Sequence, residues 1–570
     1  MAGIISALDQ HTKKNIGENG HIQEGWSNDV RKKICQLYFQ LVRSKDHQDL
    51  VREWRQILSS FNGREKERLE EFSLIMKMVA NVRDIKSGKG EQQLGFMLLY
   101  NMWDYYPQFT KYLFVKFILM ENEHCLGSLK DIKYFCNYIR SKSNNANHPL
   151  IFYILNVSMD VLSEDERALS QNKRVTLFGK WFPRSKSKKF GWINNKFATL
   201  YYSHIMETAV STDQKHRAQK KCSRNLRKLL VSLNKHLDTP QIKMAGRCWA
   251  EIDFNKVTGP TLRIHKKAFQ NLNKKGQVRS NVEDRISCAN NLRTYLQEAK
   301  EGKVTVKGKT VDMYKLVKDA LTATTQTDID MVNEQWKTNS TNNNEMEQYI
   351  IPVSDTSGSM ECDDSIPMYN SIGFGIRVSE KTHPAFRHRI MTFNTTPTWF
   401  QLSENMTFCQ KVRTMKGDSN WGGTTNFYAS MEMVANVCVQ NNIPPTEVEK
   451  MVLAIFSDMQ INQASTINMA TLSENIKILF TEAGLRTTWK TPYKAPHILF
   501  WNLRKTNGFP SSVYEENVSM ISGYSPVLLN TLAEKGFTEM KETNPFNILK
   551  EMMNIDRYNF IDECICKYYS

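Results

Sequence analysis

The distribution of apolar positions divides the chain into two parts. Before about residue 340 the apolar residues recur with the helical period, most clearly at 69–80, 91–102, 111–119 and 150–162. After residue 346, short apolar runs alternate with helical segments. This pattern predicts an α-helical, HEAT-like repeat domain over residues 1–340 and a C-terminal α/β domain over residues 346–570. A polar Asn- and Thr-rich stretch at 337–345 is the predicted linker.

The alternation in the C-terminal part predicts individual elements. We expect strands at 348–354, 389–393, 399–402, 451–457, 497–503 and 518–521. We expect helices at 365–380, 426–441 and 469–483. Because buried strands alternate with helices, the pattern indicates a mostly parallel, doubly wound sheet. Such sheets bind their ligands at the carboxyl ends of the strands.

Oxygen-bearing side chains follow two of these predicted strands. Asp355, Ser357 and Ser359 occupy alternate positions of the turn after the first strand. Downstream, Thr425 lies in a polar, glycine-rich loop and Asp458 ends the strand at 451–457. Oxygen ligands of this kind suit Mg²⁺ or Mn²⁺. The structural alternative is that the serines cap a helix and Asp458 merely ends a buried strand.

This set of residues resembles the metal-ion-dependent adhesion site (MIDAS) of von Willebrand factor A (vWA) domains. The resemblance implies a doubly wound vWA domain with an open metal position that takes a carboxylate from a protein partner. It also implies that the metal is held, directly or through water, by Asp355, Ser357, Ser359, Thr425 and Asp458.

Longer motifs resemble the family known as domain of unknown function 2828, which includes vWA-containing and viral proteins. These motifs lie at 83–91, 251–257, 420–422, 456–460, 500–504 and 521–525. The order of a helical domain and a vWA domain is also similar to the plan of Ro-type ribonucleoproteins, whose helical ring binds small structured RNAs. This resemblance of architecture implies RNA as a partner.

Positive charge is concentrated in the middle of the chain. The 570-residue protein has a formal net charge of +17. Residues 151–300 contain 29 Lys and Arg against 12 Asp and Glu, whereas residues 351–570 contain 19 against 22. A local excess of this size attracts polyanions, most commonly nucleic acid.

Two basic segments are candidates for nucleic-acid binding. In the first, aromatic rings flank a basic stretch, so unpaired bases could stack while cations contact phosphates. In the second, cations share one stripe of a predicted helix. The alternatives are that the rings anchor a loop and that the stripe is a solvated helix face. The candidate residues are Trp181, Arg184, Lys186, Lys188, Lys189 and Trp192, then Lys220, Lys221, Arg224, Arg227 and Lys228, and further along Lys266 and Lys267.

Other sequence features disfavour several classes of function. No run of about 18 uncharged apolar residues is present, which argues against a membrane span and a membrane partner. The loop at 87–90 lacks the spacing of a P-loop and is interpreted as a helix–helix hinge, with Lys86 and Lys89 available to phosphate. No pattern typical of an enzyme nucleophile or a His/Cys metal site appears. Eleven scattered cysteines indicate reduced thiols and an intracellular, cytoplasmic protein.

The sequence therefore predicts a non-catalytic scaffold that binds RNA through its basic helical part. The C-terminal part would hold Mg²⁺ or Mn²⁺ and bind a carboxylate of a protein partner. The alternative is a protein–protein assembly module without a nucleic-acid role, including a virion-associated protein of a large DNA virus. Cations gathered in one place on the folded chain favour RNA binding, and cations scattered over all faces favour the alternative.

Overall fold

A computed structural model describes residues 14–121, 123–339, 349–393, 397–418, 426–461, 471–528 and 544–569. Two short antiparallel strands come first, β1 (Lys14–Ile16) and β2 (Ile22–Glu24). Helices then follow up to residue 338. They are α1 (Val30–Gln40), α2 (Gln48–Phe61), α3 (Leu69–Arg83), α4 (Gln92–Met102), α5 (Pro107–Ile118), α6 (Lys130–Ser143), α7 (Pro149–Ser170), α8 (Phe178–Trp181), α9 (Gly191–Tyr201), α10 (Ser203–Glu207), α11 (Thr212–Leu237), α12 (Pro240–Gly246), α13 (Gly259–Phe269), α14 (Glu283–Lys300), α15 (Met313–Thr322) and α16 (Gln326–Thr338).

The predicted helical character of this region is confirmed. The four segments expected from the apolar period correspond to α3, α4, α5 and α7. Helix α5 begins at Pro107, before its predicted start, because the fixed φ of proline suits the first helical position. The HEAT-like character of the array stays a prediction, as do the domain bounds at 1–340 and 346–570. Among the described helices, none has the length and apolarity needed to cross a bilayer.

The beginning of the predicted linker is helical. Residues 337 and 338 belong to α16, whereas residues 340–345 lie outside the described residues. Tertiary contacts explain the difference, because the Arg377 guanidinium stacks 3.8 Å from the Trp336 ring and donates to the Trp336 carbonyl oxygen at 2.7 Å. The polar composition of this stretch therefore misplaced the helix end by two residues.

Six strands form the sheet of the C-terminal part, in the order β5-β4-β3-β6-β7-β8. Every pairing is parallel except that of β4 with the edge strand β5. The prediction of a mostly parallel, doubly wound sheet is thus confirmed. The strands are β3 (Tyr349–Asp355), β4 (Arg389–Phe393), β5 (Thr398–Gln401), β6 (Met451–Ser457), β7 (His497–Asn502) and β8 (Val518–Ser522). The helices are α17 (Cys362–Lys381), α18 (Phe408–Asp418), α19 (Phe427–Gln440), α20 (Pro445–Glu449), α21 (Leu472–Arg486), α22 (Pro545–Met553) and α23 (Asn559–Tyr569).

The central strands are buried along nearly their whole length and mostly apolar because both faces of the sheet are covered. All seven residues of β6 are buried, and α17 packs against β3 and β6. Close contact requires glycine at Gly375, where a Cβ atom would lie 2.3 Å from the Ser354 hydroxyl oxygen. The Ser354 hydroxyl in turn donates to the Ser371 carbonyl oxygen of α17 at 3.1 Å.

The strand order reverses between β3 and β6, which makes this pair the topological switch point of the sheet. Asp355 is the last residue of β3, and Asp458 follows the last residue of β6. The two carboxylates therefore lie at the same edge of the sheet, where ligands of doubly wound sheets bind.

The helical part and the sheet share one hydrophobic core. Helix α1 packs against β8, and the C-terminal helices α22 and α23 pack back onto α3. The apolar residues of these elements belong to one continuous buried cluster. A second, smaller cluster is formed by buried residues between positions 252 and 331. The chain between α12 and α16 thus builds a core of its own, although α15 joins the large one.

Lys89 is buried between the two parts, which contradicts its predicted role as a phosphate contact. Its side chain is 3% exposed, and Nζ donates to the Tyr38 carbonyl oxygen at 2.6 Å and the Leu41 carbonyl oxygen at 3.0 Å. Nζ also donates to the Ser522 hydroxyl at 2.5 Å, and the Tyr38 ring centroid lies 3.8 Å away. All three donors of the ammonium group are used, so Lys86 is the one of these two lysines that is exposed to solvent.

Candidate functional site

The first candidate site lies at the edge of the sheet where β3 and β6 end. Ser354 pairs with Phe456 in the parallel ladder, which places Asp355 beside Ser457. The Ser457 hydroxyl donates to Asp355 Oδ2 at 2.5 Å, and the Ser357 backbone N–H donates to Asp355 Oδ1 at 2.9 Å. Asp355 is therefore held in one orientation by the strand that neighbours its own.

Hydroxyl oxygens connect the two carboxylates of this edge. The Ser357 and Ser359 hydroxyl oxygens lie 3.2 Å apart. Ser357 also hydrogen-bonds to the Asp355 carboxylate, and Ser359 hydrogen-bonds to the Asp458 carboxylate. The structure thus brings together four of the five predicted metal ligands. Thr425, the fifth, lies outside the described residues.

Both carboxylates of the edge are fully buried, and their like negative charges repel each other. Burial and then the nearby Asp458 carboxylate raise the pKa of Asp355 to about 7, against hydrogen bonds from Ser357 and Ser457 that lower it. Burial also raises the pKa of Asp458, while the Arg504 guanidinium acts in the opposite direction. Two buried acids linked by hydroxyl oxygens are a donor set that fits a small, hard divalent cation.

Side chains that the sequence analysis missed complete the surroundings of Asp458. Arg504 Nε donates to Asp458 Oδ2 at 2.8 Å, and the backbone N–H of Gln460 donates to Asp458 Oδ1 at 3.0 Å. The other end of the guanidinium donates to Glu18 Oε2 at 2.5 Å. Arg504 could have been found from its place two residues after β7, since parallel strands end at one edge. Glu18 has no such signal, because it precedes the sheet by hundreds of residues.

Glu18 belongs to a hairpin that crosses the edge of the sheet. Its backbone N–H donates to Gln460 Oε1 at 2.7 Å, and the Asn19 side-chain amide donates to the Gln460 carbonyl oxygen at 2.8 Å. Glu24 and Phe509 exchange two backbone hydrogen bonds of 2.9 Å at the far end of the hairpin. In the described part of the chain, no three His, Cys, Asp or Glu side chains form a metal-binding group. A cation at this edge would therefore depend on the serine oxygens.

The second candidate site is a cleft between α9 and α11, which we call the basic cleft. Its volume is about 680 Å³, and the second basic segment lines it with Lys220, Arg224 and Arg227, whereas the first segment contributes Ser185 alone. Helix α11 begins with a capping box at Ser211 and Gln214, and it buries Leu226, Leu230 and Leu233 on its inner side. The cleft is lined by Ser185, Asn195, Lys196, Thr199, His216, Gln219, Lys220, Ser223, Arg224 and Arg227.

The predicted cations of both segments are exposed and are not paired with a carboxylate of the described residues. None of them forms an ion pair with a carboxylate in the described ranges, whereas other surface lysines do, such as Lys450 with Glu447 at 2.8 Å. The exposed cations with this property are Arg184, Lys186, Lys188, Lys189, Lys220, Lys221, Arg224, Arg227 and Lys228. Three of them, with Lys196, line the basic cleft. Lys196 was missed because it is the single cation of its helix, outside both basic segments.

The aromatic residues of the first segment differ in their surroundings. Phe182 is buried and stacks on Phe178 with ring centroids 4.7 Å apart, so it anchors the loop. Trp192 is partly buried beneath the Arg140 guanidinium, which lies 4.9 Å from its ring. Trp181 is also partly buried. The surroundings of Phe182 and Trp192 thus resemble the anchoring alternative more closely than an open stacking platform.

The structure does not bring Lys266 and Lys267 to the basic cleft. Both lie on α13, which packs against α14 in the smaller core. Lys266 is 3.5 Å from the Asp319 carboxylate, which also receives Arg263, and Lys267 donates to the Lys274 carbonyl oxygen at 2.9 Å. These contacts occupy the two lysines within their own region.

Comparisons with known proteins cover most of the chain. Residues 137–346 match the family described as "Domain of unknown function (DUF2828)", and residues 349–561 match "Domain of unknown function (DUF7788)". The predicted resemblance to the first family is confirmed for the matched residues, whereas the motifs after residue 420 fall in the second match. The motif at 83–91 lies in neither.

One relative and one solved structure span nearly the whole chain. "Uncharacterized protein L728" of Acanthamoeba polyphaga mimivirus is 27% identical over 501 residues, which cover 85% of this chain and 80% of that protein. The crystal structure of the Deinococcus radiodurans RO (RSR) protein covers 89% of this chain and 100% of its own, at 10% identity and a TM-score of 0.35.

Proposed function

We propose that the protein is a non-catalytic scaffold that binds RNA through the basic cleft. The observation that carries this proposal is that Lys196 of α9 and Lys220, Arg224 and Arg227 of α11 line one concave surface without a carboxylate partner among the described residues. Cations without carboxylate partners are free to neutralise phosphates, and a concave surface lets several act on one strand.

The neighbours of the cleft cations favour RNA as the polyanion. Asn195, Thr199 and Ser223 place amide and hydroxyl groups among the lysines and arginines. Such groups can hydrogen-bond to a ribose 2′-hydroxyl, which is the feature that distinguishes RNA from DNA. The partly buried aromatic rings argue against extensive base stacking, so we expect contacts that are largely independent of sequence.

We also propose that the edge of the sheet is a MIDAS-like centre of a vWA-type domain. Asp355, Ser357, Ser359 and Asp458 would hold Mg²⁺ or Mn²⁺, with Thr425 as the predicted fifth ligand. When bound, the metal supplies an electropositive centre for a carboxylate of a protein partner. Support comes from the hydrogen-bonded oxygens at the topological switch point, and from the mutual repulsion of the two buried acids.

The experiment that tests RNA binding is charge reversal in the cleft. A variant with Lys220, Arg224 and Arg227 changed to Glu is compared with a control in which Lys303, Lys307 and Lys309 become Glu. Both variants lose the same net charge, but the control lysines lie outside the cleft. Fluorescence anisotropy with a single-stranded RNA is measured over a range of salt concentrations.

The expected result is a loss of affinity in the cleft variant and a smaller salt dependence. Each phosphate contact to a single strand contributes about 0.7 to the slope of log K against log salt, so three lost contacts reduce the slope by about 2. The control should keep the wild-type slope. Equal losses of RNA affinity in both variants would mean that net charge alone causes the effect. Absence of RNA binding by the wild type at low salt would favour the assembly alternative.

A further inference from the structure

Three lysines surround the ring of Trp181, and none of them lines the basic cleft. Lys130 and Lys133 are one turn apart on α6, and Lys180 precedes Trp181 in α8. Their Nζ atoms lie 4.0, 5.6 and 5.1 Å from the centroid of the Trp181 ring, in that order. We call these three side chains the lysine cage.

The positions of the cage lysines are set by their contacts with Trp181. Lys133 Nζ donates to the Trp181 carbonyl oxygen at 2.9 Å, which ties α6 to α8. The face of an indole ring attracts ammonium groups, which holds cations near it even without a carboxylate. Both contacts fix the ammonium groups before any ligand arrives, so little side-chain entropy is lost on binding.

The lysine cage lacks a counter-charge in the described part of the chain. Asp131 is its nearest acid in sequence, but the Asp131 carboxylate receives Arg83 at 2.7 and 3.0 Å. The same carboxylate also accepts from the Gln92 amide at 2.7 Å. Asp131 is completely buried and paired with Arg83, so it forms no ion pair with the cage lysines.

Burial and mutual repulsion disfavour the charged forms of the three cage lysines. Burial lowers the pKa of Lys130, Lys133 and Lys180, and the Lys130 ammonium lowers the pKa of the other two further. Lys315 and Arg184 add repulsion from neighbouring elements, whereas Asp131 acts in the opposite direction on Lys130. A bound anion would relieve this repulsion.

We propose that the lysine cage binds the terminal phosphate monoester of an RNA strand, an inference that rests on RNA binding by the basic cleft. A monoester carries a charge of about −1.5 to −2 and three terminal oxygens, which matches three ammonium groups. An internal diester carries a single charge and two such oxygens, so it would leave the cage undercompensated. The cage therefore selects the end of a strand over its interior.

The chain geometry allows one strand to reach both sites. Trp181 lies four residues before Ser185, which lines the basic cleft. Four residues span at most about 14 Å, so the cage and the cleft are close neighbours on the surface. A strand whose end is held in the cage can continue into the cleft.

The test compares one internally labelled single-stranded RNA with a 5′-phosphate, a 3′-phosphate or hydroxyl groups at both ends. Binding is measured by anisotropy for the wild type, for Lys130→Ala with Lys180→Ala, and for a control with Lys142→Ala and Lys173→Ala. The control removes the same charge from exposed lysines that do not contact Trp181. Lys133 is left intact because it holds α8, and Lys130→Arg with Lys180→Arg tests rescue by charge.

We expect one terminal phosphate to strengthen wild-type binding about tenfold, since charge-assisted hydrogen bonds contribute on this scale. The preference should vanish in the alanine cage variant, persist in the control and return in the arginine variant. Equal binding of phosphorylated and hydroxyl RNA would overturn the cage assignment and leave RNA binding by the cleft intact. Failure to bind any RNA would overturn both. If inorganic phosphate displaced the RNA at a concentration no higher than that of the RNA, the assignment of the cage to a strand end would be overturned.

Discussion

Lys89 and Ser522 are hydrogen-bonded at 2.5 Å although 433 positions separate them in the chain. Lys89 lies in the loop between α3 and α4, and Ser522 is the last residue of β8. Ser522 also donates to the Tyr38 carbonyl oxygen at 2.9 Å, so three separate segments meet at one buried ammonium group. The contact fastens the helical part to the edge of the sheet.

Replacing Lys89 by Met is expected to destabilise the whole protein. The substitution preserves the shape of the side chain but leaves the Leu41 carbonyl oxygen without its Lys89 donor, and the Tyr38 carbonyl oxygen keeps only its other donors. Buried polar groups that lose a partner in this way cost about 3 kcal/mol in the free energy of unfolding. Urea denaturation measures the change, and Lys86→Met on the exposed side of the same loop is the matched control. Equal stability of the two variants would contradict the role of Lys89.

The comparison of the wild type with Lys89→Met also predicts a pH dependence of stability. Burial lowers the pKa of Lys89 well below 10.5, against the influence of the Glu91 carboxylate. Between the folded and unfolded pKa values the unfolded chain binds more protons, so this group adds stability as pH rises toward 10.5. Lys89→Met lacks this contribution. The difference in unfolding free energy between wild type and variant should therefore widen from about pH 8 to about pH 10, and a constant or narrowing difference would refute the prediction.

Asp355→Asn is expected to abolish Mg²⁺ binding at the edge of the sheet. The amide retains the shape of the carboxylate but removes its negative charge, which a hard divalent cation requires. Isothermal titration calorimetry with Mg²⁺ provides the measurement, supported by the thermal midpoint, which rises with ligand concentration when the folded state binds. The control is Asp364→Asn, an exposed acid nearby in the chain. Equal heats for all three proteins would rule out a metal at Asp355.

Arg504→Gln is expected to strengthen Mg²⁺ binding by about tenfold or more, because it removes a cation that contacts Asp458. In the absence of metal the same variant should be less stable, since one oxygen of Asp458 loses its charged donor. Arg504→Lys keeps a positive charge and should bind Mg²⁺ as the wild type does. Weaker binding by Arg504→Gln would instead mean that Arg504 orients Asp458 for the metal.

The central features of the sheet could be predicted from the sequence because they depend on local patterns. The predicted bounds of β4 and β6 match the observed ones, since buried parallel strands are continuous apolar runs. Asp355 and Asp458 could be assigned to one edge because each follows such a run. The hydroxyl chain between them follows from the short spacing of Ser357 and Ser359.

Contacts between distant segments could not be predicted in the same way. A Lys flanked by glycines is typical of an exposed loop, and nothing near Lys89 indicates that β8 will cover it. Glu18 likewise reaches the sheet only because the N-terminal hairpin folds over it. The cage lysines Lys130 and Lys133 were overlooked because two lysines one turn apart on a helix do not indicate a site until the fold places Trp181 beside them.

The return of α22 and α23 to α3 has a practical consequence for any attempt to separate the two proposed activities. A fragment that stopped at residue 339 would leave the apolar face of α3 bare, and a fragment that began at residue 349 would carry two helices with nothing to cover. Proteolytic fragments would thus expose apolar surface and aggregate. RNA recognition and metal capture therefore have to be uncoupled by single-residue changes in the intact polypeptide.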